Sequence, residues 1–421
     1  MNRRAYLAAA STSLFCLAGC TDDANRSDGG NGDPENRSKS GEGEPDPDTD
    51  DVTPASGTVD PGPEDDFSDL SAWEVVGGTL SAETDRDRIS IGEQTARLET
   101  EGERARLSKE FDEPVDVSNV VPGLAFEADE LVVPRIRLAD ERGRTIDYRR
   151  GMTGDIPLSR YNFGVERVDD GYDRTAVTTV NVWLYNGEDD RPTVWLDDFH
   201  FVPRPETPKV MIQFDDCHVT DYTEAFPILE EYGYPAVTFV NPEYVERGEV
   251  AGDTKLSVDQ LSELDDAGWC VANHTASHPH LSELSREEQE TEILDGQAWF
   301  DERGFEEATE YFAYPFGDYD GTTVDLIAEH HELGFAGGGP AHGHLSNAEL
   351  VPRIGDPSPE RSRNAVEWAV EMNGFSSMFF HRLEDPDLRG DFEAAVEAIH
   401  EYESRGDLEV ILPSDLAEYR Y

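Results

Sequence analysis

Two patterns of hydrophobic and polar positions divide the chain. Between about residues 66 and 205, apolar side chains recur at every second position in short runs bounded by Gly, Asp, Asn and Pro. A period of two predicts β-strands, and many short strands without a helical segment predict an all-β sandwich, which we expect to be jelly-roll-like. The predicted strands are Gly78–Ala82, Ala96–Thr100, Ala105–Phe111, Val132–Leu138, Thr145–Arg149, Val177–Leu184 and Thr193–Val202.

After residue 205 short apolar runs alternate with amphipathic segments. The apolar runs are Val210–Phe214, Ala236–Val240, Trp269–Ala272, Tyr311–Tyr314, Gly334–Ala336, Ser377–Phe380 and Leu408–Leu412. Helices are predicted at Tyr222–Tyr232, Val258–Ala267, Glu287–Arg303, Thr323–His331, Arg361–Met372 and Phe392–Glu403. Seven strands with intervening helices predict an α/β domain over residues 206–421, an incomplete TIM-like (β/α)7 barrel in preference to an open sheet.

Polar residues follow several of these predicted strands. Asp215 and Asp216 come directly after the first, His274 and His278 after the third, and His381 after the sixth. Because the carboxyl ends of parallel strands meet at one rim, we expect these side chains to lie together. Two imidazoles and a carboxylate suit Zn²⁺, and also Co²⁺, Ni²⁺, Fe²⁺ or Mn²⁺. The pattern therefore predicts metal-assisted hydrolysis, in which the metal activates a water molecule.

Four short motifs carry a resemblance to a known family. They are Gln213–Cys217 with its Asp-Asp pair, His274–His278 with His-Thr-x-x-His, Ala313–Gly317, and Met378–His381. In this order they resemble the polysaccharide deacetylase family, the NodB-homology domain of family-four carbohydrate esterases. The resemblance covers about residues 209 to 421, half of the chain.

The resemblance implies a role for each of the polar residues at the predicted rim. Asp215 would be the general base and His381 the general acid. Asp216, His274 and His278 would hold a divalent metal, most often Zn²⁺. An acetylated polysaccharide or glycan would be the substrate.

The third motif contributes an implied role and departs from the family pattern. The main-chain N–H of Phe316, with Pro315 before it, would contact the substrate and stabilise the oxyanion. The family's arginine, which holds the base, is replaced by Ala313. Arg353 and Arg382 are the candidates to substitute for it. The family's fourth motif, an Asp/Trp pair that supports the acid, has no clear counterpart.

Cysteine and histidine positions outside the motifs give further expectations. Cys217 stands where the family has glycine, and a thiol there could bind or be oxidised near a metal. Cys217 and Cys270 would lie about 13 Å apart along the strand direction, so both are expected to be free thiols. His342 and His344 follow the fifth strand in a Gly- and Pro-rich loop, where we expect a mobile rim or a substrate contact.

The N-terminal segment is typical of an exported lipoprotein. Arg3 and Arg4 precede the apolar run Ala5–Ala18, which is too short to span a membrane. Leu17–Cys20 resembles a lipobox, in which Cys20 receives the lipid, so residues 1–20 are predicted to be a signal peptide. Residues 21–65 contain 14 acidic and three basic residues and no aromatic residue, and they are predicted to be a disordered linker. We expect the protein at the cell surface, anchored by lipid to the outer face of the cytoplasmic membrane.

Composition changes what partners are expected. The chain has 92 acidic against 34 basic residues, a formal charge of −58, which disfavours nucleic acid and direct binding to anionic membranes. Only four of the basic residues are lysines. Such a composition resembles that of proteins from salt-adapted organisms, haloarchaea among them.

These patterns together predict a hydrolase that removes N-acetyl or O-acetyl groups from a surface or extracellular polysaccharide. Two alternatives remain open at this point: a catalytically weak carbohydrate-binding surface protein, and an amidase acting on a non-sugar C–N bond. The sandwich is loosely similar to carbohydrate-binding domains. The aromatic residues Trp73, Tyr148, Tyr161 and Trp183 either stack on sugars or belong to its core.

Overall fold

The computed structural model describes residues 58–151, 156–187, 190–339 and 342–421. These residues all belong to one compact unit, Pro54–Tyr421. The predicted signal peptide, its Cys20 and the linker up to residue 57 lie outside the described residues. Within the described ranges, no helix is both long enough and apolar enough to cross a membrane.

The first half of the described chain forms two antiparallel sheets of six strands each. Its strands are β1 Gly62–Asp65, β2 Glu74–Val76, β3 Gly78–Glu83, β4 Thr95–Thr100, β5 Arg104–Val115, β6 Val120–Ala128, β7 Val133–Asp140, β8 Thr145–Arg149, β9 Ser159–Asn162, β10 Gly164–Val168, β11 Val177–Tyr185 and β12 Thr193–Pro203. The first sheet has the order β3-β4-β12-β6-β9 with β1 also paired to β12, and the second has the order β10-β8-β7-β11-β5-β2.

The alternating pattern of the strands explains how the two sheets pack. In β7, for example, Ile136 and Leu138 are buried while Arg135 and Arg137 are partly exposed. Apolar side chains from both sheets form one hydrophobic core, as in a β-sandwich. The jelly-roll connectivity and the boundary between residues 205 and 206 stay predictions.

The predicted disordered linker ends earlier than expected. Gly62–Asp65 form strand β1, paired with β12, so the prediction of disorder is wrong for these residues. The Asp65 carboxylate accepts hydrogen bonds from the Phe67 N–H and from the Trp73 indole N–H, and it pairs with Lys109. These contacts satisfy a charge that the sequence pattern alone assigns to a solvated segment.

The second half of the described chain contains a nine-stranded parallel sheet flanked by helices and a separate antiparallel pair of short strands. Its strands are β13 Lys209–Phe214, β14 Val237–Val240, β15 Glu249–Val250, β16 Asp253–Thr254, β17 Cys270–Asn273, β18 Tyr311–Ala313, β19 Leu333–Ala336, β20 Val351–Pro352, β21 Ile354–Gly355, β22 Phe375–Phe380 and β23 Glu409–Val410. The helices are α1 Phe226–Tyr232, α2 Pro242–Arg247, α3 Val258–Asp266, α4 Arg286–Asp301, α5 Gly321–His330, α6 Pro359–Met372, α7 Pro386–Glu403 and α8 Pro413–Ala417.

The parallel sheet is nearly closed into a barrel. Its order is β20-β19-β18-β17-β14-β13-β22-β21, with β23 attached to β13 and with β15 and β16 in a separate two-stranded sheet. The two ends of this order, β20 and β21, are consecutive in the chain and are separated only by Arg353. A single interrupted strand therefore links the two edges of the sheet, in agreement with the predicted α/β barrel-like architecture.

All seven predicted strands overlap strands of this sheet, but the last one does not take a place in the barrel order. The segment predicted as Leu408–Leu412 contributes only the two-residue β23, which pairs beside the start of β13. Residues 351–355 take the barrel position instead, and the sequence pattern misses them. This segment contains Pro352 and consists of two strands of two residues each, separated by Arg353, so its sequence shows no recognisable strand period.

The loop after β19 contacts the sandwich, and the expectation for the first of its two histidines is wrong. His342 is fully buried, and its Nδ1 accepts a hydrogen bond from the Val165 N–H at 3.1 Å. Burial lowers the pKa of His342 to about 3, so the ring is neutral. The His344 N–H donates to the Pro203 carbonyl. His342 is enclosed between the sandwich and the barrel, which excludes a mobile rim or a substrate contact for this residue. His344 is partly exposed, and its expected role stays a prediction.

Other buried residues follow the expectations more closely. Trp73, Tyr148 and Tyr161 are buried in the core, whereas Trp183 is partly exposed on the outer face of the second sheet. Cys217 and Cys270 are free and buried, which confirms the prediction of two free thiols.

Candidate functional site

Asp216, His274 and His278 form a cluster at the carboxyl ends of β13 and β17. Asp216 Oδ1 lies 3.5 Å from His274 Nε2 and 2.9 Å from His278 Nε2. One ligand atom from each of the three side chains lies within 4.8 Å of the other two. The structure therefore brings together the three residues that the sequence predicts as metal ligands.

Local backbone geometry aims these side chains at each other. Asp216, Cys217, Thr275 and His278 all have a positive φ, between 46° and 70°. Non-glycine residues rarely adopt this conformation, and such strain is most common at functional sites. The chain bends sharply after each strand, so that the carboxylate and the imidazoles face the same space.

Hydrogen bonds from neighbouring elements fix the His274–His278 loop. The Asn241 side chain, at the start of α2, donates to the His274 carbonyl. Glu292 of α4 accepts from both the N–H and the hydroxyl of Ser277, at 2.9 and 2.7 Å. The loop is thereby tied to two helices, which pre-organises the two imidazoles.

The protonation pattern of the cluster fits a divalent cation. His274 Nδ1 donates to the Ala313 carbonyl at 2.7 Å, which leaves Nε2 as the ring nitrogen that faces Asp216. Burial lowers the pKa of His278 below its ordinary value, so the ring is neutral as metal binding requires. Asp216 Oδ1 is buried and has no hydrogen-bond partner among the described residues. A buried carboxylate oxygen facing two imidazole nitrogens is a donor set suited to Zn²⁺.

Asp215 is paired with Arg353, at the strand that joins the edges of the barrel. Arg353 Nη1 and Nη2 donate to Asp215 Oδ1 and Oδ2, each at 2.8 Å, and both residues are almost fully buried. The guanidinium also lies over the rings of Phe379 and Phe239, 4.0 and 5.5 Å from their centroids. Burial raises the pKa of Asp215, but Arg353 and His274 outweigh it and hold the pKa below its ordinary value. The carboxylate is therefore ionised and held in one orientation.

Of the two candidate replacement arginines, only Arg353 contacts Asp215. Arg382 is half exposed and donates to Asp253, so the structure places this alternative away from the base. Arg353 lies far from the third motif in the sequence, on a different strand.

His381 is paired with Asp356, a residue that the sequence pattern did not single out. The Asp356 carboxylate accepts from the His381 N–H at 3.2 Å and from its Nδ1 at 2.7 Å. Burial lowers the pKa of His381, but the hydrogen bond and charge of Asp356, with Asp215 and Asp216, raise it to about 9. Nε2 is thus the proton-bearing nitrogen that remains available. Asp356 directly follows β21, a position at a strand end that would have suggested it had the strand been recognised.

Two further predicted positions differ in their surroundings. Phe316 follows Pro315 at a backbone φ of 59°, and its ring is 61% exposed beside His278. Cys217 points into the core, with no exposed surface, and burial raises the pKa of its thiol to about 12. The expectation that Cys217 binds a metal or oxidises beside it is wrong, because its thiol is protonated and faces away from the cluster.

Two buried basic residues support Asp216 from behind. Lys255 Nζ donates to the Asp216 carbonyl at 3.1 Å, and His218 Nε2 lies 3.8 Å from Asp216 Oδ2. Burial raises the pKa of Asp216, but the neighbouring imidazoles of His218, His274 and His278 lower it far below its ordinary value. Neither His218 nor Lys255 belongs to a sequence motif, and only their position in the fold reveals them.

A second group of possible ligands lies on the outer surface. Glu290 of α4 and Glu329 and His330 of α5 also approach within 4.8 Å of one another. Glu329 is already paired with Arg286 at 2.8 Å. Among the described residues, the Asp216 cluster is the more buried of the two groups.

Comparisons with known proteins point to one family for the barrel. Residues 203–335 match the family model described as polysaccharide deacetylase. This range contains Asp215, Asp216, His274 and His278 and ends before His381. The match supports a polysaccharide deacetylase domain in this part of the chain.

Individual relatives are similar over the same region. The chain is 29% identical to YxkH of Bacillus subtilis over 121 residues, 29% of this chain and 41% of YxkH. It is 28% identical to a poly-beta-1,6-N-acetyl-D-glucosamine N-deacetylase of Staphylococcus aureus over 154 residues, 34% of this chain and 53% of the relative. The Streptococcus pyogenes deacetylase PplD, solved in complex with acetate, is 28% identical with a TM-score of 0.32, over 34% of this chain and 62% of PplD. The chain thus spans about half the length of the curated relatives that it matches.

Proposed function

We propose that this protein is a metal-dependent hydrolase that removes N-acetyl or O-acetyl groups from a surface or extracellular polysaccharide. The observation that carries the proposal is the arrangement of three separately held parts at one rim. These are the cluster Asp216–His274–His278, the ionised pair Asp215–Arg353, and the protonated pair His381–Asp356. The deacetylase relatives support hydrolysis of a C–N bond and an acetylated polysaccharide as substrate.

The three parts divide the work of acyl transfer between them. A divalent metal held by Asp216, His274 and His278 would polarise the acetyl carbonyl and activate water. Asp215, kept ionised by Arg353, would accept the proton of the attacking water. His381 would donate its Nε2 proton to the departing amine or alkoxide, and Asp356, in contact with Nδ1, would orient the ring and keep it protonated. The Phe316 N–H, after Pro315, would stabilise the oxyanion.

The proposal also covers where the protein acts. We propose that Cys20 carries a lipid and that the acidic segment after it tethers the protein outside the cytoplasmic membrane. The excess of acidic residues supports a working environment of high salt, in which their mutual repulsion is screened. Loss of lipid labelling in Cys20→Ser, with labelling of the unaltered protein, tests the anchor.

The direct experiment measures acetate released from N-acetylated and O-acetylated oligosaccharides at high salt. We expect release that stops after chelation and returns when Zn²⁺ or Co²⁺ is added. A sugar-binding protein without turnover would retain the oligosaccharides but release no acetate. Release from small non-sugar amides and not from glycans would instead assign the protein to the amidases.

The pH profile reports on the acid. His381 is protonated below its pKa of about 9, a value that does not include the charge of a bound cation. Turnover should therefore fall as the pH rises through this pKa, which gives the alkaline limb of the pH profile. In Asp356→Asn the main cause of the raised pKa is removed, so the alkaline limb should move to lower pH while metal binding persists. A limb that stays in place would show that Asp356 does not control His381. Asp253→Asn, at an exposed pair with Arg382, is the matched control.

A further inference from the structure

The outer face of the second sandwich sheet carries a row of arginines interrupted by one tryptophan. Strand pairing aligns Arg149 of β8, Arg135 of β7, Trp183 of β11 and Arg106 of β5 across four neighbouring strands. The side chains of Arg135, Arg106 and Arg149 are 21%, 30% and 50% exposed. Since neighbouring strands lie about 4.8 Å apart, the row spans about 14 Å.

Guanidinium groups hold two aromatic rings in place on this face. Trp183 and Tyr185 are stacked, with ring centroids 6.3 Å apart. Arg106 and Arg137 lie 5.5 and 5.9 Å from the centroid of Trp183, and Arg135 lies 4.8 Å from that of Tyr185. Cation–π contacts on a pleated surface keep these rings fixed. A rigid, partly exposed indole is a surface on which a sugar ring can stack.

The carboxylates on this face leave two of the arginines incompletely paired. Arg137 binds Asp147 at 2.6 Å, and Arg135 binds Glu166 at 2.5 Å. Arg149, by contrast, lies 3.8 Å from Glu166, beyond the 2.7–2.9 Å typical of a charge-assisted hydrogen bond. One end of the row therefore keeps donors for a ligand.

Arg106 forms the corresponding end on the other side of Trp183. It lies 3.6 Å from Glu74, whose side chain is 72% exposed. The Nε atoms of Arg106 and Arg135 and the indole Nε1 of Trp183 are buried and have no hydrogen-bond partner among the described residues. Two incompletely paired cations thus flank an aromatic ring whose own donor is unused.

We propose that this row binds an anionic polysaccharide. A sugar ring would stack on Trp183, and carboxylate or sulfate groups would pair with Arg106 and Arg149, whose planar guanidinium groups suit both anions. The formal charge of −58 does not prevent this binding, because charges more than about 8 Å from the ligand are largely screened at physiological salt. At higher salt the screening distance is shorter still. The proposal does not depend on the deacetylase assignment, since none of these residues belongs to the candidate active site.

The test measures binding of the full chain to three polymers. The probes are polygalacturonate, which carries carboxylates, dextran sulfate, and neutral dextran. We expect both anionic polymers to bind, and the tighter one identifies the anion. Arg106→Gln, Arg149→Gln and Trp183→Ala should each weaken binding about tenfold, the loss of one charge-assisted contact or one stacked ring. Release of acetate from a small acetylated substrate should stay at the level of the unaltered protein.

Arg97→Gln is the matched control. Arg97 lies on β4 in the other sheet, is 30% exposed as Arg106 is, and pairs with Glu99 at 2.8 Å. The proposal is overturned if neither anionic polymer binds. It is also overturned if Arg97→Gln weakens binding as much as Arg106→Gln does. If single-stranded DNA competes for the site as strongly as the anionic polymers do, and Trp183→Ala does not change binding, the row is a general polyanion surface and the proposal of a polysaccharide site is overturned. Because binding is read without turnover, its failure is distinct from failure of the deacetylase proposal.

Discussion

Replacing Asp215 by asparagine is expected to lower turnover by about 10²–10⁴-fold, the usual contribution of a general base. The amide has the shape of the carboxylate but cannot accept the proton of the attacking water. Asp215 does not belong to the Asp216 cluster, so the variant should still bind one divalent metal ion per chain. Acetate release and metal content, measured on the same preparation, separate these two effects.

Asp221→Asn is the matched control for this change. Asp221 is also fully buried near the site, and its Oδ2 accepts from the Thr238 hydroxyl at 3.0 Å. Burial raises the pKa of Asp221 well above its ordinary value, which favours the protonated carboxyl. The amide should therefore leave turnover close to that of the unaltered protein. Turnover retained in Asp215→Asn would remove Asp215 as the base.

The second large effect is expected from Arg353→Met, on both stability and activity. Removing one partner of a buried ion pair leaves an uncompensated charge, which costs about 3–5 kcal/mol of unfolding free energy. Methionine can still pack between Phe379 and Phe239, so the loss reports the charge more than the volume. Without Arg353, burial raises the pKa of Asp215, so the acid limb of turnover should move to higher pH. Denaturant unfolding and a pH profile measure the two consequences.

Two variants complete this experiment. In Asp215→Asn with Arg353→Met neither charge remains, so the double variant should be more stable than the sum of the single losses predicts, and still inactive. Arg382→Met removes an exposed pair with Asp253, which is worth about 0–1 kcal/mol, and should be nearly silent. An unchanged acid limb in Arg353→Met would contradict the role of Arg353 in holding Asp215 ionised.

The residues adjacent to strong apolar runs could be predicted from the sequence. Asp216, His274 and His278 each follow a strand whose pattern is clear, and parallel strands bring their ends to one rim. The same reasoning placed His381 after Phe380. The alternation of apolar residues likewise predicted most of the sandwich strands, because one face of each strand is buried and the other is not.

The supporting residues could not be predicted because they depend on how the barrel closes. Arg353 lies between the two-residue strands β20 and β21, and Asp356 directly follows β21, so no period can be recognised in this segment. His342 is buried only because the loop after β19 packs against the sandwich. Thus local patterns gave the residues of the cluster, while long-range packing determines which side chains orient them.

The central claim is that Asp216, His274 and His278 bind a divalent metal, and equilibrium dialysis with metal analysis tests it directly. After chelation and exposure to Zn²⁺, the unaltered protein should take up one ion per chain. Asp216→Ala and His274→Ala should each lose it, whereas His280→Ala, in the same loop but outside the cluster, should keep it. An ion bound equally well by His274→Ala would place it elsewhere, for example at Glu290, Glu329 and His330, and would contradict the account.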